Sequence, residues 1–188
     1  MTISHARATL DDLYRTEGKA ELIGGRIVKQ MATGDKPSQV AANIYVSLRI
    51  YARQVGKGVP YTDSMGFPVP ELPSGRESFS PDAAYYTGPI PTNRMRFVAG
   101  PPTFGAEVRS ESDFGPAAEF EMAEKRADYF AAGTEVVWDV DTRADCVHVY
   151  RRSAPDQPVT YRRGDVAEAE PAVPGWRMPV DEIFVVMG

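Results

Sequence analysis

The sequence predicts an α/β (α+β) fold: one β-sheet with helices packed on it and a β-hairpin near the N-terminus. Three observations predict it. Two stretches, residues 35–54 and 116–132, have the length and the apolar spacing of helices. Between and after them run short segments rich in Val, Tyr and Phe, bounded by Gly and Pro. The resulting order, β-β-α-β-β-β-α-β-β with mixed lengths, reads as α+β or α/β around one sheet.

The elements follow in order. Thr9 fits the N-cap of a short helix with Asp11 and Asp12 in its first turn. Residues 21–23 and 26–31 flank Gly24-Gly25 and read as a tight hairpin. A helix opens at Gly34-Asp35-Lys36-Pro37-Ser38. Val40, Ile44, Leu48, Tyr51, Ala52 and Val55 form its core stripe, and Gly56 and Gly58 end it. Residues 61–69 alternate, with Tyr61, Asp63, Met65, Phe67 and Val69 on one face, so they read as a strand with Pro68 at an edge or bend. Residues 79–86 form the next strand-like run. The Pro- and Gly-rich residues 88–102 read as a mobile connection.

Residues 103–110 read as a strand. Pro116 suits the first position of a helix that Gly133 stops. On that helix Phe120, Ala123, Ala127 and Phe130 form the expected core stripe, with Lys125 nearly opposite. Residues 135–140, 146–151 and 159–163 are strand candidates, residues 164–179 are Pro-, Gly- and Glu-rich, and residues 183–187 form an apolar tail.

A chain of 188 residues suits one compact domain, here expected as residues 9–188 behind a loose arm of residues 1–8. No run approaches the ~20 apolar residues of a spanning helix, and the N-terminus has no apolar secretory core, so a cytoplasmic protein is expected. The single Cys146 excludes an internal disulfide framework and any Cys-based zinc site. With only His5 and His148, a His-rich metal cage is excluded as well. The net charge of −5 argues against nucleic-acid binding by bulk charge. Residues 1–94 carry 11 Lys+Arg and 9 Asp+Glu, whereas residues 95–188 carry 10 and 17.

Two acids stand out by context. Asp82 follows Pro81 inside an apolar run. Glu107 sits in Phe104-Gly-Ala-Glu-Val-Arg-Ser, where strand parity puts Glu107 and Arg109 on one face and Phe104, Ala106 and Val108 on the other. Carboxylates brought together by adjacent strands make a hard-oxygen site suited to Mg²⁺ or Mn²⁺. The competing reading is a solvated strand face. Lys125 is open in the same way: it either enters a site or forms an exposed i,i+4 pair with Glu121.

Arg49, Arg53 and Lys57 make a basic line on the first long helix, and Arg94 and Arg96 a second basic candidate; as phosphate contacts both compete with the favoured reading of solvated surface. Arg151-Arg152 and Arg162-Arg163 read as balancing local acids. Trp138, Tyr85 and Tyr86 read as packing, His148 as a strand surface residue, and Cys146 as a small buried residue.

The run Glu107-Val-Arg-Ser110, followed by Glu121-Met-Ala-Glu-Lys125-Arg-Ala-Asp-Tyr129-Phe-Ala-Ala-Gly133-Thr-Glu135-Val-Val-Trp138-Asp-Val-Asp141, resembles the Uma-two family. These small bacterial proteins are assigned as endonucleases of the PD-(D/E)XK superfamily. Glu21-Leu-Ile-Gly-Gly25, Pro81-Asp82, Pro174-Gly-Trp and Asp181-Glu-Ile-Phe184 resemble further family segments in the right order, over roughly residues 10–185.

The resemblance implies a restriction-endonuclease-like central mixed β-sheet flanked by helices, with an N-terminal hairpin. It implies Asp82, Glu107 and Lys125 as catalytic residues. Asp82, Glu107 and the Val108 carbonyl would be the ligands of Mg²⁺, with Mn²⁺ as a substitute. Glu21 matches a recurring family acid that either joins the site or holds the hairpin. Arg109 stands where the superfamily's strand lysine would be, two residues after Glu107, and could clamp a phosphate but not act as a base. The implied activity is metal-dependent endonucleolytic hydrolysis of phosphodiester bonds, with DNA as the partner. The alternative is a nuclease-fold module without catalysis that binds or self-assembles. The apolar tail and a second apolar face on the helix from Pro116 favour a homodimer.

Overall fold

A computed structural model describes residues 6–188. In chain order the elements are α1 (Leu10–Tyr14), β1 (Ala20–Ile23), β2 (Arg26–Lys29), α2 (Asp35–Val55), β3 (Val59–Thr62), β4 (Phe67–Pro68), β5 (Ser78–Phe79) and β6 (Ala83–Tyr86). They continue with β7 (Phe104–Val108), α3 (Pro116–Ala132), β8 (Val136–Asp141), β9 (Cys146–Arg151), β10 (Ala154–Arg162), β11 (Val166–Glu168), β12 (Arg177–Pro179) and α4 (Val180–Ile183).

The central sheet is six-stranded and mixed, in the order β10-β9-β8-β7-β6-β3. Its β7–β8 pair is parallel, and α3 is the crossover that a parallel pair needs. The other four pairings are antiparallel. One face packs against α2 and the C-terminal segment: Val40, Ile44 and Leu48 meet Phe104, Trp138, Trp176 and Ile183. Trp138 and Trp176 stack at 4.9 Å and Phe104 meets both edge-on, geometries that ring quadrupoles favour. The other face packs against α3, β4 and β5, where Phe67, Phe79, Tyr129 and Val137 are buried.

Local chemistry explains the termini. Thr9 and Asp12 form a reciprocal capping box on α1, and those hydrogen bonds hold the Asp12 carboxyl down at about 2. Gly24 and Gly25 both take positive φ in the two-residue turn between β1 and β2, as the hairpin geometry demands. Gly56 and Gly133 end α2 and α3 in the left-handed region. Of the expected N-terminal arm, residues 1–5 lie outside the described residues. Ala8 donates its N–H to Gly25 O at 2.8 Å, and Arg7 pairs with Glu71 and Glu77.

Several expectations are corrected. Residues 61–69 are not one strand: a turn closed by Met65 N–H on Thr62 O separates β3 from β4. Residues 79–86 are likewise split at Ser80-Pro81-Asp82. Val55 is not core but about half exposed at the end of α2. Residues 88–102 are irregular but docked: Val98 is buried and Phe97 stacks on Tyr14 at 4.2 Å. The Pro-rich residues 164–179 contain the β11–β12 hairpin. In the apolar tail Ile183 and Phe184 are core, whereas Val185, Val186 and Met187 are exposed.

The largest correction is α3. Phe120, Ala123 and Ala127 face outward, with Phe120 65% exposed, and the helix buries Asp128 and Tyr129 with Lys125 and Arg126 beside them. Its inner face is polar because the sheet beneath presents acids, and the paired charges satisfy one another.

Candidate active site

Four elements converge on one cleft of about 1130 Å³, whose walls include Glu21, Arg76, Asp82, Glu107, Val108 and Lys125. Glu21 comes from β1, Asp82 from the break between β5 and β6, Glu107 and Val108 from β7, and Lys125 from α3.

The break at Pro81 places Asp82. Proline has no N–H for a ladder, so the strand interrupts there. Asp82 then donates its own N–H to Ala106 O at 3.0 Å, and its Oδ2 accepts the Val108 N–H at 2.7 Å. The carboxylate is thereby pinned beside β7, next to Glu107. Its other oxygen meets Lys19 Nζ at 2.5 Å.

Glu107 lies on the α3 side of the sheet and is 6% exposed. Its Oε1 accepts from Lys125 Nζ at 2.9 Å and from the Tyr129 hydroxyl at 2.6 Å. Lys125 and Tyr129 are i and i+4, so one helix face delivers both. Tyr129 is held by stacking on Phe79 at 4.1 Å. Lys125 Nζ also reaches Glu21 Oε1 at 3.1 Å. Glu21 in turn accepts the Ser80 N–H at 2.9 Å and Arg76 Nη1 at 2.5 Å, and Arg76 Nε binds Asp128 at 2.9 Å.

Electrostatics follow from this crowding. Lys19, Arg76 and Lys125 face the four carboxylates of Glu21, Asp82, Glu107 and Asp128. Burial pushes the Glu107 carboxyl up, and the nearby Asp82 and Glu21 add to that, against the pull of Lys125 and Lys19. Burial would lower the Lys125 ammonium, but Glu107 and Glu21 outweigh it and raise it, so Lys125 is a cation at neutral pH. Burial alone would raise Glu21; Lys125, Arg76 and the Ser80 N–H hold it at about 2 instead.

Glu21 therefore stabilises the folded chain above the ordinary glutamate range, near ~4.3, and that contribution is lost as pH falls from there towards about 2. Glu21→Gln is expected to flatten the fall of melting temperature across this acid window. An unchanged slope in thermal melts of the variant would argue against the assignment.

Each sequence-derived candidate has a place. Asp82, Glu107, Val108, Lys125 and Glu21 share the cleft. Arg109 does not: it is buried and gripped by Asp139 (2.6 and 2.7 Å) and Glu119, so it is not available to clamp a phosphate. Arg49, Arg53 and Lys57 are no part of the cleft wall, nor are Arg94 and Arg96. Arg151 pairs with Glu168, and Arg163 with Asp145 and Asp181. Tyr85 and Tyr86 are buried packing residues.

Lys19, Arg76 and Tyr129 were not expected in the site. Tyr129 was signalled by its spacing from Lys125. Lys19 precedes the hairpin, and Arg76 lies in a loop where no local pattern marks it.

The comparisons with known proteins agree with this architecture. The Uma2 family model, described as "Putative restriction endonuclease", matches residues 7–181. The chain belongs to the Uma2, or Uma-two, family. Among solved structures it is similar to "a putative nuclease belonging to DUF820 from Anabaena variabilis ATCC 29413", with a TM-score of 0.72 and 17% identity. The match covers 94% of this chain and 97% of that one. That likeness shows the fold, which is restriction-endonuclease-like. No curated protein matches the chain. Among the described residues of this Uma2 protein, no helix is long and apolar enough to cross a membrane.

Proposed function

We propose that this Uma2 protein is a metal-dependent endonuclease that hydrolyses phosphodiester bonds in nucleic acid, with DNA as the substrate class. The observation that carries the reading is the convergence of Asp82, Glu107 and Lys125 in one cleft, drawn from three separate elements.

The residues present fit a divalent cation. The donor set is hard oxygen, two carboxylates and a backbone carbonyl, as Mg²⁺ or Mn²⁺ prefers. Seven carboxylates and three side-chain cations line the cleft, and Glu107 is crowded by like charge. Asp82, Glu107 and the Val108 carbonyl would hold the ion. When bound, it would supply a more acidic water and polarise a phosphoryl oxygen.

The chain's own groups do the rest. The Lys125 ammonium, charged at neutral pH, orients the attacking water and stabilises negative charge building on the phosphate. Tyr129 and Glu21 position Glu107 and Lys125 by their hydrogen bonds. Lys19, paired with Asp82 at the cleft wall, would be a further cation for the phosphate. The non-catalytic alternative is a module that self-associates as a homodimer; the helix face expected to serve it holds the buried Tyr129, which leaves Phe120 as the exposed large apolar side chain of α3.

The test is cleavage of plasmid and oligonucleotide substrates with Mg²⁺ and with Mn²⁺, wild type against Asp82→Ala. Cleavage that needs the ion and is lost in the variant is expected. Equal activity in both proteins would overturn the site, and an inactive wild type would favour the non-catalytic module.

A further inference from the structure

Beyond Glu107, on the same face of the sheet, the next two strands β8 and β9 bring together a different set of donors. Asp141 and Cys146 are register partners across that pair, and His148 follows Cys146 by two residues. One ligand atom from each residue lies within 4.8 Å of the others. Cys146 Sγ and His148 Nε2 are 3.6 Å apart. A tetrahedral ion with Zn–S near ~2.3 Å and Zn–N near ~2.0 Å sets those two atoms ~3.5 Å apart.

The surrounding groups favour coordination over chance proximity. His148 Nδ1 lies 2.8 Å from Thr160 Oγ1, its register partner on β10, which fixes the ring with Nε2 towards Cys146. Such an orienting hydrogen bond is the usual support of a ligating histidine. Asp141 Oδ1 accepts the N–H groups of Arg143 and Ala144, both at 2.8 Å, which fixes the carboxylate and leaves Oδ2 for another partner. The neighbouring acids Asp139, Glu119 and Asp145 are each paired with arginine or lysine, whereas Asp141 has no ion pair among the described residues. Cys146 is buried, and Asp141 and His148 are partly exposed, so the cluster opens to solvent on one side.

We propose that the Asp141 carboxylate, Cys146 Sγ and His148 Nε2 form a second metal site, for a thiophilic divalent cation of the Zn²⁺ class, with one coordination position open. The expectation that a single cysteine excludes any Cys-based zinc site is too broad: it holds for Cys-rich frameworks. It does not hold for a mixed three-ligand set. Loading breaks the Cys146 S–H bond, forms the metal–sulfur bond and releases the proton to solvent. Burial holds the free thiol in its protonated form. The site differs in chemistry from the hard-oxygen cleft and does not depend on the nuclease reading.

Because Cys146 is the chain's sole cysteine, spectroscopy can address it directly. Metal-free full-length protein is titrated with Co²⁺. The expected result is a near-ultraviolet thiolate-to-cobalt charge-transfer band that saturates at one equivalent and is bleached by Zn²⁺ but not by Mg²⁺. The band is expected to vanish in Cys146→Ala and to need at least ~10-fold more Co²⁺ in His148→Ala. It should persist in Asp82→Asn. Zn²⁺ should also protect Cys146 of the wild type from a thiol-alkylating reagent, a readout that needs no variant to fold. A wild type without the band, or alkylation unchanged by Zn²⁺, would overturn the proposal.

Discussion

Lys125→Met is expected to lower metal-dependent cleavage by about 10²–10³-fold per folded molecule, the usual cost of losing one preorganised charge-stabilising group. The reasoning starts from what Lys125 touches. Its ammonium bridges Glu107 and Glu21 and is held charged by both. It cannot serve as a base near neutral pH, so its contribution is positive charge at a fixed point. The same ammonium occupies Glu107 Oε1, which the ion would also use. Removing it takes away a competitor for that oxygen, so affinity for Mg²⁺ is expected to hold or rise while turnover falls. Binding isotherms for the ion beside single-turnover rates separate the two effects. A variant that cleaves at the wild-type rate would remove Lys125 from the chemistry. One that loses both ion binding and rate would mark it as part of the scaffold of Glu107. Lys125→Arg is expected to fall between, since a guanidinium keeps the charge but not its compact position.

How much of this was legible in the sequence depends on which force set each feature. The two long helices, their glycine ends and the first hairpin follow from local rules: apolar spacing for α2, Pro116 and Gly133 for α3, Gly24-Gly25 for the turn. Strand parity correctly put Glu107 and Arg109 on one face. The inner face of α3 was read backwards because hydropathy assumes that burial follows apolarity. Here Asp128 is buried and Lys125 and Arg126 are mostly enclosed, paired with Arg76, Glu107 and Asp139, while Phe120 is left outside. Paired charges remove the penalty that the periodic reading relies on. Arg76 was invisible because its partners, Glu21 and Asp128, lie on two distant elements that meet only after folding. Asp139 was different. An acid in the centre of Val136–Asp141, beside a strand that leads into Arg109, is a sequence signal for a buried pair.

That pair carries the other large effect. Asp139 is fully buried and holds two guanidiniums, Arg109 through both carboxylate oxygens and Arg126 at 2.9 Å. Arg109 also grips Glu119 on α3, and Arg126 lies over the Tyr150 ring at 4.1 Å. The network ties α3 to β7, β8 and β9, and so sets the depth at which Lys125 enters the cleft. Asp139→Ala leaves the two arginines without their shared carboxylate. The expected cost is about 3–5 kcal/mol, because an unpaired buried charge loses far more than the net worth of the pair. Urea unfolding measures it directly. Arg109→Lys is expected to destabilise as well, since lysine cannot span both oxygens of Asp139 and still reach Glu119. Cleavage per folded molecule by Arg109→Lys is expected to stay near wild type, because Arg109 sends no atom into the cleft. If Arg109→Lys kept its stability and lost its activity, the arginine would belong to the chemistry. The resemblance to the superfamily's strand lysine would then outweigh the geometry that encloses it.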